Sequence, residues 1–406
     1  MSDVRLIFSI QAIRAFLYGF GSILIGAALA AGGFDAGEVG IVFTAMLVGM
    51  AIASIAVGRW GEHIGRRRAY GGLLALMGIA GAAFALTGSL PILVIAALTG
   101  TMSTDPNESG PITTVEQAML ASAPPLERAR VYGRYNAVAY LAGAVGALAA
   151  GGPSALRGLL PSVPPDQRWL LLLPIGALAC VVLAARLSRR VEVASGSIPA
   201  RGLQRSRGVV RRLAALFALD AFAGGFIVQT FVVYWFASRF GAGADVMGLA
   251  FFGAGLLQAG SSVAAGWLGT RIGLLNTMVF THLPSNALLA LVAIAPSLPI
   301  AIALLLARSA LSQMDVPARQ AYLAALVDPA ERTAAAGYTN AARHVARPAG
   351  PALASISMGM AAGLPFVVAG ALKVVYDLAL YVTFRDVRLG DDRPVIRTST
   401  RSAARR

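Results

Sequence analysis

Apolar runs of about 20 residues, the length that crosses a ~30 Å hydrocarbon core, return along this chain with only short polar breaks between them. Twelve of them start near residues 5, 37, 69, 91, 132, 169, 212, 245, 274, 298, 334 and 364. Water is absent from a bilayer core, so each run must satisfy its own backbone, and runs of this length do so as helices. The chain is 57% hydrophobic with only 13% charged residues, about half the charged share of a soluble domain. The expected fold is an all-α integral membrane protein with 12 transmembrane helices, the first apolar run being a retained span because no small-residue cleavage site follows it.

The net charge of +15 would suggest nucleic-acid binding in a soluble protein, but here the placement of the charges decides. Arginines fill alternate breaks: Arg59 and Arg66 to Arg68, then Arg128 and Arg130, Arg186 to Arg212, Arg271, Arg332, and the tail from Arg385. The opposite breaks hold far fewer: residues 31 to 38 offer only Asp35 and Glu38, and the turns near 88, 296 and 363 carry no charge. By the positive-inside rule both termini are expected in the cytoplasm, with the lipid bilayer and not a nucleic acid as the large partner. Cys180 stands alone in an apolar run and reads as packing. Lys373, the one lysine, lies outside any G-x-x-x-x-G-K-[ST] pattern, so no Walker-type nucleotide site is expected. Neither a cofactor nor a metal site is expected.

The chain also repeats itself. "RAFLYGF" at 14–20 resembles "DAFAGGF" at 220–226, and "GRWGEHIG" at 58–65 resembles "GWLGTRIG" at 266–273. "QAMLA" at 117–121 pairs with "QAYLA" at 320–324, and "ERARVYGRYNA" at 127–137 with "ERTAAAGYTNA" at 331–341. Four matches in one order, at offsets of 206, 208, 203 and 204, imply two pseudo-symmetric six-helix halves. The expected divisions are a bundle over 1–186, a basic cytoplasmic linker over 187–211, a second bundle over 212–386 and a basic tail over 387–406.

"GRWGEHIGRRR" at 58–68 resembles the loop signature G-x-x-x-[DE]-[RK]-x-G-[RK]-[RK] of the major facilitator superfamily of secondary transporters, with His63 in place of a usual Arg or Lys. The resemblance extends along essentially the whole chain. It implies alternating access between two bundles, a small-molecule substrate, a monomer that suffices for the mechanism, and a bacterial inner (plasma) membrane location. It also implies a conformational gate at the cytoplasmic loops, built here from Gly58, Glu62, Gly65, Arg66, Arg67, Arg128, Arg271 and Arg332.

Charges inside the spans are expensive and mark pathways or partners. Arg14 in span 1 and its repeat counterpart Asp220 in span 7 are placed at matching depths, and are able to pair across a central cavity or to line it. Span 11 presents Asn340, Arg343, His344 and Arg347 at steps of three and four, hence on one face, and the corresponding face of its repeat counterpart, span 5, carries Asn136 and Tyr140 and is largely uncharged. His344 suits proton exchange by type, but two flanking arginines favour its neutral form, which makes Asp220 or Asp315 the better proton carrier. His282 reads as packing, and Lys373 with Asp377, four apart, as a pair on their own helix.

The stretch "TDPNESGPITTVEQ" at 104–117 places Asp105, Asn107, Glu108 and two prolines inside the fourth apolar run. "DVP" at 315–317, followed by Arg319, is its shorter counterpart in span 10. Proline-interrupted helices at matching positions of two repeats point to a substrate site. Thr113 and Glu116 have capping-box spacing, so a second helical segment is expected near Thr113, with Glu116 either a cap or a ligand.

These residues together suggest a proton-coupled secondary transporter, with protons as the coupling ion and efflux of a small amphipathic organic compound as the leading expectation. Uptake or exchange of an organic anion held by cavity arginines is the alternative. A membrane receptor would need a larger cytoplasmic domain, and no hydrolase or metal motif supports an enzyme.

Overall fold

A computed structural model describes residues 3–105, 110–120, 125–192, 203–328 and 331–387, which are helical with no strand among them. In chain order the helices are α1 (Asp3–Ala31), α2 (Ala36–Ile64), α3 (Arg66–Leu86), α4 (Leu90–Leu98), α5 (Pro111–Leu120), α6 (Pro125–Ala149), α7 (Gly152–Leu159) and α8 (Leu172–Ala185). The second half holds α9 (Arg207–Gly225), α10 (Gln229–Phe240), α11 (Ala244–Ile272), α12 (Leu274–Val292), α13 (Leu298–Ser312), α14 (Asp315–Leu326), α15 (Arg332–Ala346), α16 (Ala349–Met360) and α17 (Leu364–Phe384). Among the described residues, ten stretches are long and apolar enough to cross a membrane. The expected spans 4 and 11 are instead pairs of short helices, α4 with α5 and α15 with α16.

Local chemistry explains the ends. Asp35 accepts from the amide of Glu38 at 2.9 Å while Glu38 accepts from that of Asp35 at 3.0 Å, a reciprocal cap that starts α2. The chain reverses between α2 and α3 at Gly65, with φ +92°, and between α11 and α12 at Gly273, with φ +85°. These are the glycines of the two repeat copies, and a side chain at either would be strained.

The sequence pointed to breaks in spans 4 and 10, and both exist, but spans 5, 7 and 11 are broken too. The break after Gly225 carries no proline. Its cause is a neighbour: a Cβ at Gly225 would lie 2.3 Å from the carbonyl oxygen of Arg347, and one at Gly350 would lie 2.4 Å from the backbone of Gly225. The α9–α10 break therefore packs backbone to backbone on the α15–α16 break.

Three apolar cores result. One uses only residues between Leu6 and Val191, another only residues between Val210 and Phe384, and both lie toward the arginine-rich loops. The third mixes the two segments, joining Phe20 and Phe43 to Phe231, Trp235 and Phe366 at the opposite end. The two segments thus share a core at one end and keep separate cores at the basic end. Large apolar side chains such as Ile52, Ile79 and Val263 stand exposed on the outside, as a lipid-facing surface requires. Cys180 is buried against α1, in keeping with a packing role.

Both described flanks of the basic linker are tied down by carboxylates. Glu192 accepts from the amides of Arg66 at 2.7 Å and Arg67 at 3.2 Å, where α3 begins. Glu331 accepts from the amides of Gln204, Arg205 and Ser206 at 2.8–2.9 Å, just ahead of α9. The amide of Ser206, then those of Arg205 and Gln204, hold the Glu331 carboxyl down to about 2.

Candidate transport site

In the first segment Arg14 of α1 meets Glu116 of α5 at 2.5 Å, both almost fully buried. Tyr70 donates to the other Glu116 oxygen at 2.6 Å, and Tyr135 donates to the one that Arg14 holds. Arg14 also donates to Gln11 and lies over the Tyr18 ring at 5.3 Å. Two expectations are corrected here. Arg14 does not pair with Asp220, because the carboxylate of Glu116 is already in contact with it. The capping box at Thr113 and Glu116 does not form, because α5 already starts at Pro111, and Glu116 projects into the bundle as an ion-pair partner.

In the second segment Asp220 of α9 takes Lys373 of α17 at 2.5 Å on one oxygen and Arg319 of α14 at 3.2 Å on the other. Arg319 also pairs with Asp315 at 3.2 Å on its own helix. Lys373 and Asp377 do not pair with one another. Each finds a partner on a neighbouring helix, Lys373 on α9 and Asp377 on α12, where His282 at 2.8 Å and Asn286 at 2.9 Å bind it. His282 is therefore a satisfied buried residue, as expected. The pairs Arg14–Glu116 and Asp220–Arg319 occupy matching places in the two repeats, with the signs of charge exchanged.

Two cations in the second segment are left over. Arg343 on α15 and Arg308 on α13 are half-buried, and neither guanidinium makes an ion pair or hydrogen bond among the described residues. The Arg308 Nε atom is buried without any acceptor. The electrostatic neighbours of Arg343 are Arg319, Asp220, Asp315 and Tyr376, so it faces the interior of its own segment. His344 is half-buried beside it, and Asn340 is exposed one turn earlier.

Polar contacts that cross between the segments gather at the helix breaks. Asp105, between α4 and α5, pairs through one oxygen with Arg347 at the α15–α16 break. Its other oxygen accepts from the amide of Gln229, the first residue of α10, at 2.8 Å. Thr230 donates through its amide and hydroxyl to the carbonyl of Thr104, and Gln229 donates to Ser22 of α1 at 2.9 Å. Tyr140 lines a small pocket beside this contact with Gln229 and Gln258, while Asn136, a turn nearer the basic end, is exposed. Asn107 and Glu108 lie outside the described residues.

Several residues expected to form a gate bond within their own segments. Arg66 donates to the carbonyl of Ala118 at 3.1 Å, Arg67 to that of Ala185 at 3.2 Å and Arg332 to that of Ala324 at 2.8 Å. Arg271 stacks on Trp267 at 4.3 Å. Gly58 has open space around it and Gly65 makes the turn already described. The side chains of Glu62 and Arg128 lie outside what the structure describes.

Sequence reasoning did not single out Gln11, Tyr70, Tyr135 or Arg308, and it assigned Lys373 to the wrong partner. Arg308 carried a usable signal, since it is a charge in the middle of the apolar run that starts near 298. The tyrosines carried none, because a phenol is cheap anywhere along a span.

The Major Facilitator Superfamily model matches residues 7–238, more than half of the chain. The chain belongs to the major facilitator superfamily. As a member of that superfamily it is a multi-pass membrane transporter with an all-α fold. It is 24% identical over 423 residues to an uncharacterized membrane protein of Saccharomyces cerevisiae, covering 95% of this chain and 94% of the relative. Among solved structures it resembles the nucleoside transporter NupG, with a TM-score of 0.71 at 14% identity over 95% of this chain and 100% of that one. It is similar to a D-xylose-proton symporter at a TM-score of 0.70 and 16% identity, over 94% and 98% of the two chains. A bacterial homologue of the human lysosomal transporter Spinster, inward-facing and unoccupied, aligns at a TM-score of 0.68 and 13% identity over 94% of each. At these identities the likeness to the superfamily's solved members is one of fold.

Proposed function

We propose that this transporter carries a small organic anion, amphipathic in character, by alternating access driven by a proton gradient. The observation that carries this reading is the surplus of cations in the second segment. Asp220, Asp315 and Asp377 are taken by Lys373, Arg319 and His282, while Arg308 and Arg343 make no ion pair or hydrogen bond through their guanidinium groups among the described residues. An unpaired charge in such an interior is expensive, and a bidentate guanidinium is matched by a carboxylate, sulfonate or phosphate. The leading expectation of an amphipathic substrate is thereby narrowed in charge sign. Direction follows from the gradients on the two sides, because every step of such a cycle is reversible.

The moving bodies are the bundles over 1–186 and 212–386, joined by the linker over 187–211, and the substrate reaches Arg343 from the basic end. With that end and both termini in the cytoplasm of a bacterial cell, the described state is open inward. The separate cores there support this assignment, as does the closure of the opposite end by the shared core.

The test uses purified protein in liposomes with an imposed pH gradient and a pH dye inside, challenged with panels of organic anions and organic cations. Proton flux evoked by anions and lost in Arg343→Ala is the expected result. Flux evoked by cations alone and lost in Asp220→Asn would overturn the reading.

A further inference from the structure

We infer that Asp105 is an internal stand-in for the substrate's anionic group: the incoming anion displaces it from Arg347, and the proton that Asp105 then takes up travels with the substrate. The inference rests on the anion reading above and adds a coupling residue and a stoichiometry to it.

Three features set the Asp105–Arg347 pair apart from the other interior pairs. It joins the two segments, whereas Arg14–Glu116, Asp220–Lys373 and His282–Asp377 each stay within one. It is reachable by water: both side chains are 27% exposed, against 8% or less for those three pairs. Its receptor is also one that any carboxylate would fit, a guanidinium on one oxygen and the free amide at the start of α10 on the other.

Arg343 lies one helical turn before Arg347, roughly 6 Å along the axis. An anion first held by the unpaired Arg343 is therefore within a step of Arg347. Replacing one carboxylate by another on the same donors leaves the guanidinium satisfied, so the exchange proceeds without stripping a buried cation. It leaves Asp105 without its contact cation, Arg308 remaining as a more distant charge, and an acid that has lost its ion pair inside a protein is held more cheaply in neutral form than charged. The proton comes from water on the side then open, bonds to the displaced carboxylate oxygen, and leaves to water on the other side when the anion departs and Arg347 returns. Loss of the Asp105–Arg347 link also removes a tie that holds the far end shut, so binding and gate release are one event.

Among the described residues, the charged groups placed around Asp105 are its partner Arg347 and, from α13, Arg308; Arg343 and His344 lie a turn back from Arg347 on α15. The start of α10 contributes the amide of Gln229. His344 is the other side chain there that can exchange a proton by type.

The experiment measures the dissociation constant of an organic anion with permanent charge, an aryl sulfonate, against pH for detergent-purified wild type, Asp105→Asn and His344→Gln. Uptake of one proton per anion weakens wild-type affinity by about tenfold per pH unit on the alkaline side of the transition. The expected slope is present in wild type and His344→Gln and absent in Asp105→Asn. In liposomes, Asp105→Asn is expected to exchange anion for anion but not to accumulate it against a gradient when driven by protons. A slope that survives in Asp105→Asn, or vanishes in His344→Gln, overturns the inference while leaving the anion reading standing. A wild type that binds no anion at any pH overturns the anion reading itself. Should Asp105→Asn fail to fold, the wild-type slope and its loss in His344→Gln still decide.

Discussion

In the first half of this transporter a buried arginine on α1 meets a carboxylate on α5 and is closed in by tyrosines, whereas in the second half a carboxylate on α9 meets an arginine on α14 and stands among further cations. The two pairs descend from matching places in one repeat. The first half is balanced: one cation, one anion, and phenols that occupy the remaining acceptor positions of Glu116. The second half carries Arg308, Arg319, Arg343 and Lys373 against Asp220 and Asp315, with Asp377 engaged by His282. A charge-balanced, sealed cluster is the chemistry of a part that must hold its shape. An unbalanced one is the chemistry of a part that can take a charged ligand. Duplicated bundles can therefore keep one architecture and divide the labour between them.

Breaking the balanced side should have the largest effect. Glu116→Ala leaves Arg14 buried with no anion, and the expected loss of stability is about 3–5 kcal/mol, read as a lower unfolding temperature in detergent. The double change Arg14→Met with Glu116→Leu should recover most of it, since a well-packed apolar pair replaces the charges together. A single and a double variant that unfold alike would show that the pair contributes little.

The unbalanced side should yield less to the same treatment. Asp220→Ala leaves Lys373 without its anion, but a lysine can shed its proton where an arginine cannot, and Arg319 retains Asp315, so the expected loss lies at or below the lower end of the roughly 3–5 kcal/mol range for a broken buried pair. A cost equal to that of Glu116→Ala would blur the contrast between the halves.

The smallest effect is expected where the halves are tied to the linker. The Glu331 carboxyl, ordinarily near 4.5, is held down to about 2 by three amides. A depressed carboxylate stabilises fully above its unfolded value and loses that contribution as pH falls from about 4.5 through about 2. The tie should therefore hold through mildly acidic pH and release only in strong acid. Glu331→Gln should speed proteolysis of the linker at neutral pH while leaving the unfolding temperature nearly unchanged, and a large drop in that temperature would make Glu331 part of a core.

How much of this was legible beforehand follows from what each signal is made of. Spans, sidedness of charge and the repeat are written in runs of many residues, and ten of the expected twelve spans are long and apolar enough to cross. The break around Asp105 was visible because proline and carboxylates have no other reason to lie there. The break at Gly225 was not, because it depends on Gly350 more than a hundred residues away. Partners failed for the same reason. Matching depth suggested Arg14 with Asp220, and spacing of four suggested Lys373 with Asp377, yet each bond is decided by which neighbouring helix brings its charge closer. The cationic face of span 11 was readable as a face, but that Arg347 is occupied and Arg343 is not could be seen only in three dimensions.

The central claim, that Arg343 in the second half binds the substrate anion, is tested most directly by thermal unfolding of Arg343→Ala with and without a saturating organic anion. Removing a half-buried cation that has no ion-pair partner among the described residues should leave the ligand-free variant at least as stable as the wild type, while the upward shift that the anion produces in the wild type disappears. An Arg343→Ala variant that is destabilised and still shifts with the anion would contradict the account, and would make Arg343 a structural residue like Arg14.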